Sequence, residues 1–274
     1  MTATKILATD LDRTLLPNGR WPKDSGAIEL FNTLTEKHGV CVVYVTGRSL
    51  SLTEAAIEEF GVRHPHILIS DVGTAIRRFD GDGWEPDTGW EAHVRRTSPG
   101  WDAEAVRHAL GGIEGLVEQE REHCGPFKQS YYVDHAEREV ILDTVDQRVK
   151  GQFDEVIIYS FDSESGDGLL DLLPNSATKQ TALEYISGVL DVAKTQVVFC
   201  GDSGNDVYPL TAGFRGVLVR NADEQLVAGV KQELENNPDV VVYFARGGFR
   251  GLNGYYTGGV IEGAYHYGLF QDHD

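Results

Sequence analysis

The sequence predicts an α/β fold, a Rossmann-like parallel sheet core interrupted by an inserted α+β domain, on three observations. Short apolar runs of β type alternate with helical patterns over the first 70 residues; the alternation breaks off near Ala75; it resumes after Pro174. Strands that alternate with helices pair in parallel through right-handed crossovers. The predicted division is a core of residues 1–80 and 171–274 around an inserted domain of 81–170.

The first strand runs from Lys5 to Thr9. Asp24 is placed to cap a helix whose apolar face is Ala27, Ile28, Phe31 and Leu34, and Val40 to Val45 forms the second strand. Ser51 and Glu54 have the spacing of a capping box for a helix that stops near Gly61, and Ile67 to Ile69 makes a third strand. The texture then changes. Asp80-Gly81-Asp82-Gly83 signals a turn, Trp84, Trp90 and Trp101 follow, and Gly111-Gly112 ends a short helix. Further on come a strand from Lys128 to Val133, a helix with Val140, Ile141, Thr144, Val145 and Val149 at helical spacing, and strands from Glu155 to Ser160 and Gly168 to Leu173. Beyond Pro174 the predicted order is a helix (Thr178 to Leu190), a strand (Gln196 to Cys200), a helix after Gly204 and a strand (Gly216 to Val219). A helix from about Ala222, a strand from Val240 to Phe244 and a helix from Gly259 to Gly268 complete it.

The chain has 274 residues, enough for two domains with separate cores. Twenty-four Lys and Arg against 43 Asp and Glu give a net charge of −19, which argues against nucleic acid or an anionic membrane surface as partner. No apolar run approaches the ~18 residues of a membrane span, and the N-terminus reads as a buried strand without signal-peptide features, so a cytoplasmic location is expected. Cys41, Cys124 and Cys200 are widely separated, lack metal-site spacing and read as thiols.

Four segments carry chemistry. The first strand ends in Asp10-Leu11-Asp12-Arg13-Thr14, and alternation sets Asp10 and Asp12 on one side, where like charges repel unless a cation or proton shares the site. The second strand ends in Thr46-Gly47-Arg48-Ser49, whose hydroxyl and amide are suited to a phosphate oxygen beside a helix N-terminus. Lys179 opens a helix, where a cation opposes the helix dipole unless an anion lies close. Another apolar strand delivers Gly201-Asp202-Ser203-Gly204-Asn205-Asp206 to the same sheet edge. Carboxylates from separate strand ends, without His or Cys, suit Mg²⁺ rather than zinc.

In this order the four segments resemble the motifs of the haloacid dehalogenase superfamily of phosphohydrolases, and the insertion between the second and third is similar to the capped subclass IIB. More narrowly, they resemble the sucrose-phosphate phosphatase family, together with Asp171-Leu172-Leu173-Pro174 before Lys179 and Gly258-Gly259-Val260-Ile261-Glu262-Gly263 near the end. The resemblance implies that Asp10 is a nucleophile forming an aspartyl-phosphate. It implies that Asp12 is the acid and base, protonated at the outset, and that Thr46, Gly47 and Lys179 grip the phosphate. It also implies Mg²⁺ held by Asp10, Asp202 and the main-chain carbonyl of Asp12, with Asp206 and Asn205 close by and Arg48 in support. The implied substrate is sucrose 6-phosphate or a close disaccharide phosphate.

In the inserted domain Lys128, Ser130, Tyr132 and Asp171 are the candidates for binding the sugar, with Gly73 and Thr74 able to line the same cleft. Two features leave alternatives open. The acidic segment Asp162 to Gly168 departs from what a phosphosugar site favours, which admits mannosylfructose or glucosylglycerate phosphate. The same aspartate pair would also serve a phosphohexomutase. A third reading is a non-catalytic sugar-phosphate-binding partner of a glycosyl-phosphate synthase, and association with a cognate synthase is the one macromolecular contact the resemblance suggests.

Overall fold

The computed structural model describes residues 5–161 and 166–271. The chain begins β1 (Ile6–Thr9), α1 (Ala27–Lys37), β2 (Cys41–Val45), α2 (Leu50–Phe60) and β3 (Ile67–Ser70), and continues with the hairpin β4 (Ala75–Phe79) and β5 (Trp84–Pro86). Then follow α3 (Thr88–Thr97), α4 (Ala103–Leu110), β6 (Leu116–Glu118), β7 (Gln129–Val133), α5 (Arg138–Val149), β8 (Glu155–Phe161) and β9 (Gly168–Pro174). The last part holds α6 (Lys179–Val189), β10 (Val197–Gly201), α7 (Val207–Thr211), β11 (Arg215–Leu218), α8 (Glu224–Asn236), β12 (Val241–Phe244) and α9 (Thr257–His266).

Eight strands form one sheet in the order β12-β11-β10-β1-β2-β3-β4-β5, parallel as far as β3 and antiparallel beyond it. β1 is central, with Ile6 in register with Val197 on one side and Cys41 on the other. Its continuous apolar run follows from burial on both faces: Leu7 packs into the cluster of α1 and α9, while Ile6 and Ala8 pack into the opposite cluster with Leu183 and Ile186 of α6. Each such buried Leu or Ile contributes about 1.5–3 kcal/mol. The smaller sheet is antiparallel, in the order β6-β7-β9-β8, and shares a core with α4 and α5.

Several local expectations are revised. Asp24 does not cap α1. Gly26, at φ 77°, stands before that helix, and the Asp24 carboxylate accepts the Asn253 N–H at 2.9 Å. Ser49, not Ser51, caps α2 by accepting the Leu52 N–H, and Glu54 accepts instead from the Trp84 indole. Gly61 closes α2 in the left-handed conformation, as the sequence predicts. The expected boundary at 80/81 falls within the turn of the β4–β5 hairpin, because the free edge of β3 is covered by antiparallel pairing. α3 stays with the core, burying Trp90 and Val94 against it. The boundary expected at 170/171 falls inside β9, whose whole length pairs with β8. The small sheet and the helices that share its core thus span α4 to β9. No helix among the described residues is long and apolar enough to cross a membrane. Of the acidic stretch, Asp162 to Ser165 lie outside the described residues.

Candidate active site

The site lies at the C-terminal edge of the large sheet, where β10, β1 and β2 end side by side. Ligands bind in α/β sheets at this edge because strand ends project side chains into one crevice. Asp10 follows β1, fixed by its N–H to the Cys200 carbonyl at 2.9 Å, and is 5% exposed. Thr46, just after β2, is buried, and its hydroxyl oxygen accepts the Arg48 N–H at 3.1 Å. Asp202, just after β10, is buried as well.

Lys179 comes from the first turn of α6, which a reciprocal cap holds in place: Thr178 Oγ1 accepts the Thr181 N–H, and Thr181 Oγ1 accepts the Thr178 N–H. From there the Lys179 ammonium, 2% exposed, donates to Asp10 Oδ1 at 3.0 Å, to Asp206 Oδ1 at 2.9 Å and to Asn205 Oδ1 at 3.2 Å. Burial disfavours its charge, but Asp10 and Asp206 outweigh that and hold it protonated above the usual lysine range.

Asp206 also builds the loop that carries it. Its Oδ2 accepts the N–H groups of Asp202 and Ser203 at 3.1 and 3.3 Å, and a side chain on Gly201 would stand 2.6 Å from the Asp206 Cβ. Asp202 Oδ1 accepts from the Thr14 hydroxyl at 3.0 Å. Its Oδ2 is buried without a hydrogen bond, with Arg13 Nε at 3.3 Å. Burial pushes the Asp202 carboxyl well above the ordinary range and, joined by the charges of Asp206 and Asp12 and opposed by Lys179, pushes Asp10 up to about 7.

Asp10, Asp202 and Asp206 each offer an oxygen, all within 4.8 Å of one another. Three buried carboxylates against Lys179 and the Arg13 ion pair leave negative charge to be neutralised. An oxygen-only set, with an Asp202 oxygen that accepts no hydrogen bond among the described residues, fits a hard divalent cation.

Asp12 differs from expectation. Its carboxylate is clamped by Arg48 through Nε at 2.8 Å and Nη2 at 2.7 Å, and by Asn18 Nδ2 at 2.6 Å. Burial raises its pKa, yet these partners overcome burial and hold it below the ordinary range. In this arrangement the clamp favours the carboxylate form of Asp12 over the protonated form expected at the outset.

On the small sheet, Ser130 and Asp171 pair across β7 and β9, and the Ser130 hydroxyl donates to Asp171 Oδ1 at 2.6 Å. Lys128 Nζ lies 3.8 Å from the same oxygen and is 7% exposed, with no hydrogen bond among the described residues. Leu173, two residues from Asp171 on β9 and so on the same face, packs with Ile158 against Val72 of the core. That face looks toward the large sheet. Tyr132 is not brought into the group: its hydroxyl donates to Glu120 at 2.9 Å in an exposed position. Gly73 and Thr74 are used within the turn after β3, Thr74 by donating to the Asp71 carbonyl and Gly73 by close packing on Thr178.

Sequence reasoning missed Arg13, Asn18 and Asn221. Arg13 adopts φ 56° and its carbonyl accepts from Asn221 Nδ2 at 2.6 Å, which shapes the loop under Asp202. The one available signal was the placement of Arg13 between two motif residues, Asp12 and Thr14.

The fold and this edge define a hydrolase of the haloacid dehalogenase type, a parallel-sheet core whose aspartates and lysine converge under an inserted domain. The family model for sucrose-6F-phosphate phosphohydrolase matches residues 3–268, and the chain belongs to that family. It is 35% identical over 264 residues to a HAD-like hydrolase of Nitrosococcus oceani, covering 96% of this chain and 71% of that protein. To sucrose-phosphatase 2 of Nicotiana tabacum it is 32% identical over 249 residues, covering 87% of this chain and 55% of the tobacco protein. The chain thus spans about half the length of that plant relative. Among solved structures, the sucrose-phosphatase from Synechocystis sp., in complex with sucrose and phosphate, superposes with a TM-score of 0.78 at 26% identity, covering 97% of this chain and 98% of that one.

Proposed function

We propose that this chain is a Mg²⁺-dependent phosphatase that removes phosphate from a disaccharide phosphate, sucrose 6-phosphate before others, through an aspartyl-phosphate on Asp10. The observation that carries the reading is the convergence of Asp10, Asp202, Asp206 and Lys179 at one sheet edge. A binding module would need neither a buried carboxylate with one oxygen held by lysine nor two further carboxylates beside it.

In the first half-reaction a carboxylate oxygen of Asp10 attacks phosphorus in line; the new bond to phosphorus forms as the bond to the sugar oxygen breaks. Lys179 orients Asp10 and offers positive charge to the phosphoryl oxygens. Thr46, whose hydroxyl proton has no acceptor among the described residues, and the neighbouring Gly47 amide hold a further oxygen. The sugar alkoxide needs a proton, and Asp12 is the group beside the motif able to supply it. To do so, Asp12 gives up its pair with Arg48 and takes up a proton as the phosphoester binds. In the second half-reaction it is already in the form the chemistry requires, a carboxylate that accepts a proton from the water hydrolysing the intermediate. Asp10, Asp202, Asp206 and the Asp12 carbonyl would hold Mg²⁺, which supplies neutralisation of the phosphoryl charge. Asn205 supports Lys179, and Arg48 positions Asp12.

Lys128, Ser130 and Asp171 face the core and are the residues proposed to bind the sugar. The buried Lys128 ammonium has no hydrogen-bonding partner among the described residues, and sugar hydroxyls would provide one. Tyr132 drops out of this set because Glu120 holds it outside.

Phosphate release with Mg²⁺ from sucrose 6-phosphate, mannosylfructose phosphate, glucosylglycerate phosphate and simple hexose phosphates, with Asp10→Asn as control, tests the proposal. Preference for one disaccharide phosphate, lost in the variant, supports it. Equal rates on all esters would remove the disaccharide assignment, isomerised sugar phosphate without free phosphate would indicate a mutase, and no turnover would favour a partner of a glycosyl-phosphate synthase.

A further inference from the structure

Directly after β3 the backbone does something costly. Asp71, Val72 and Gly73 have φ values of 54°, 62° and 109°, three successive residues in the left-handed half of conformational space. A β-branched residue there is a genuine outlier, because its Cβ substituents crowd the neighbouring carbonyl oxygen. Such strain persists only where the surroundings over-determine it, and an observed outlier of this kind is a reason to look for a role.

The restraints on this turn come from the active site, from α3 and from the small sheet. The Val72 N–H donates to the Thr46 carbonyl at 3.0 Å, and the Asp71 N–H to the Arg48 carbonyl at 2.9 Å. The Gly73 carbonyl accepts from the buried Trp90 indole at 3.1 Å. Gly73 itself lies so close to the start of α6 that an added Cβ would sit 2.2 Å from the Thr178 carbonyl carbon and 2.5 Å from the Lys179 nitrogen. One three-residue turn therefore braces both Thr46 and Lys179 from behind. The Val72 side chain, 3% exposed, packs with Ile158 of β8 and Leu173 of β9, and its Cγ2 lies 3.9 Å from where a Cβ on Gly47 would stand. Val156 flanks this small cluster.

We propose that Val72 is a positioning residue: the small sheet, seated on Val72 through Ile158 and Leu173, holds the strained turn in the shape that spaces Thr46 against Lys179. The proposal rests on the phosphatase reading for its kinetic test and on geometry alone for its structural one. With the small sheet lifted away, the turn loses its apolar restraint, and the two phosphate-gripping groups lose a shared support. With it seated, they are set at the distance the phosphoryl group needs. A misplacement of about 1 Å at such groups is enough to slow chemistry about a hundredfold.

The test combines Val72→Ala, Ile158→Ala, the double variant and Val72→Ile, read by turnover and by amide hydrogen exchange. Each single alanine variant is expected to lower kcat on the preferred phosphoester by about tenfold while leaving KM within about threefold, because the loss falls on alignment rather than on sugar contacts. The double variant should be no worse than either single one, since both cut the same connection, and Val72→Ile should retain parental kcat. Unchanged kcat in Val72→Ala, or losses that add in the double variant, would overturn the proposal and leave Val72 as ordinary packing. Exchange at the Val72 amide, which is bonded to Thr46, needs no turnover. Ile158→Ala should speed it, and an unchanged rate there overturns the coupling. If the parent protein releases phosphate from no ester, the phosphatase reading falls, and the exchange result alone decides the role of Val72.

Discussion

The two sheets of this molecule carry their candidate functional residues in opposite ways. On the large sheet each candidate group sits at the end of its own strand or helix, so Asp10, Thr46, Lys179 and Asp202 meet because neighbouring elements end at one edge. On the small sheet Lys128, Ser130 and Asp171 meet because two antiparallel strands pair in one register, Ser130 opposite Asp171. The first arrangement writes the site into short local motifs. The second writes it into a pairing that no local segment contains. The difference predicts how the two regions respond to damage: the core should lose chemistry for every ester, the small sheet only preference among esters.

The largest effect is expected for Asp10→Asn, which removes the proposed nucleophile and should lower phosphate release from every ester by about a thousandfold or more in initial-rate assays. Lys179→Ala comes next and breaks the core differently, because it leaves Asp10 and Asp206 buried without their cation. A loss of about 3–5 kcal/mol in stability, measured by urea unfolding, should accompany the loss of turnover. A substitution on the small sheet sharpens the contrast. Lys128→Ala should reduce kcat/KM for the preferred disaccharide phosphate by about tenfold to a hundredfold while leaving p-nitrophenyl phosphate within about twofold. Equal losses on both would mean that Lys128 serves the core.

The smallest effect is one of pH. Asp10 and Asp202 are raised above their unfolded values, so the folded chain keeps protons that the unfolded chain has released once pH passes about 4. Protein held in a chelator should therefore become less stable as pH rises from about 4 toward 7, the value of Asp10. The slope should be shallower in Asp10→Asn, as read from unfolding midpoints at several pH values, and divalent cation should restore stability at the upper end.

Much of the large sheet was legible because βα alternation dictates parallel pairing, and an apolar strand followed by Asp or Thr identifies its own C-terminal end. Asp10, Asp202, Asp206 and Lys179 fall together as that logic requires. What was not legible depends on choices among chemically similar neighbours or on distant partners. Ser49 rather than Ser51 caps α2, a matter of which hydroxyl reaches an N–H. Trp84 and Trp90 looked like the start of a new domain, but antiparallel pairing on the edge of β3 keeps both near the core. Tyr132 lies on the same face of β7 as Ser130, two residues away, and what takes its hydroxyl elsewhere is Glu120, just past the end of β6. The state of Asp12 depends on Arg48, 36 residues on, and on Asn18; Arg48 was read as a supporting cation without the clamp it makes. The strained turn at Val72 has no sequence signal at all, since valine is among the residues least expected at positive φ.

The central claim is covalent transfer through Asp10, and the stereochemical course at phosphorus tests it most directly. With a disaccharide phosphorothioate made chiral at phosphorus by sulfur and two oxygen isotopes and hydrolysed in water carrying the third isotope, two successive in-line displacements predict net retention of configuration. Net inversion would mean that water attacks the ester directly, and the account of Asp10 as nucleophile would be contradicted.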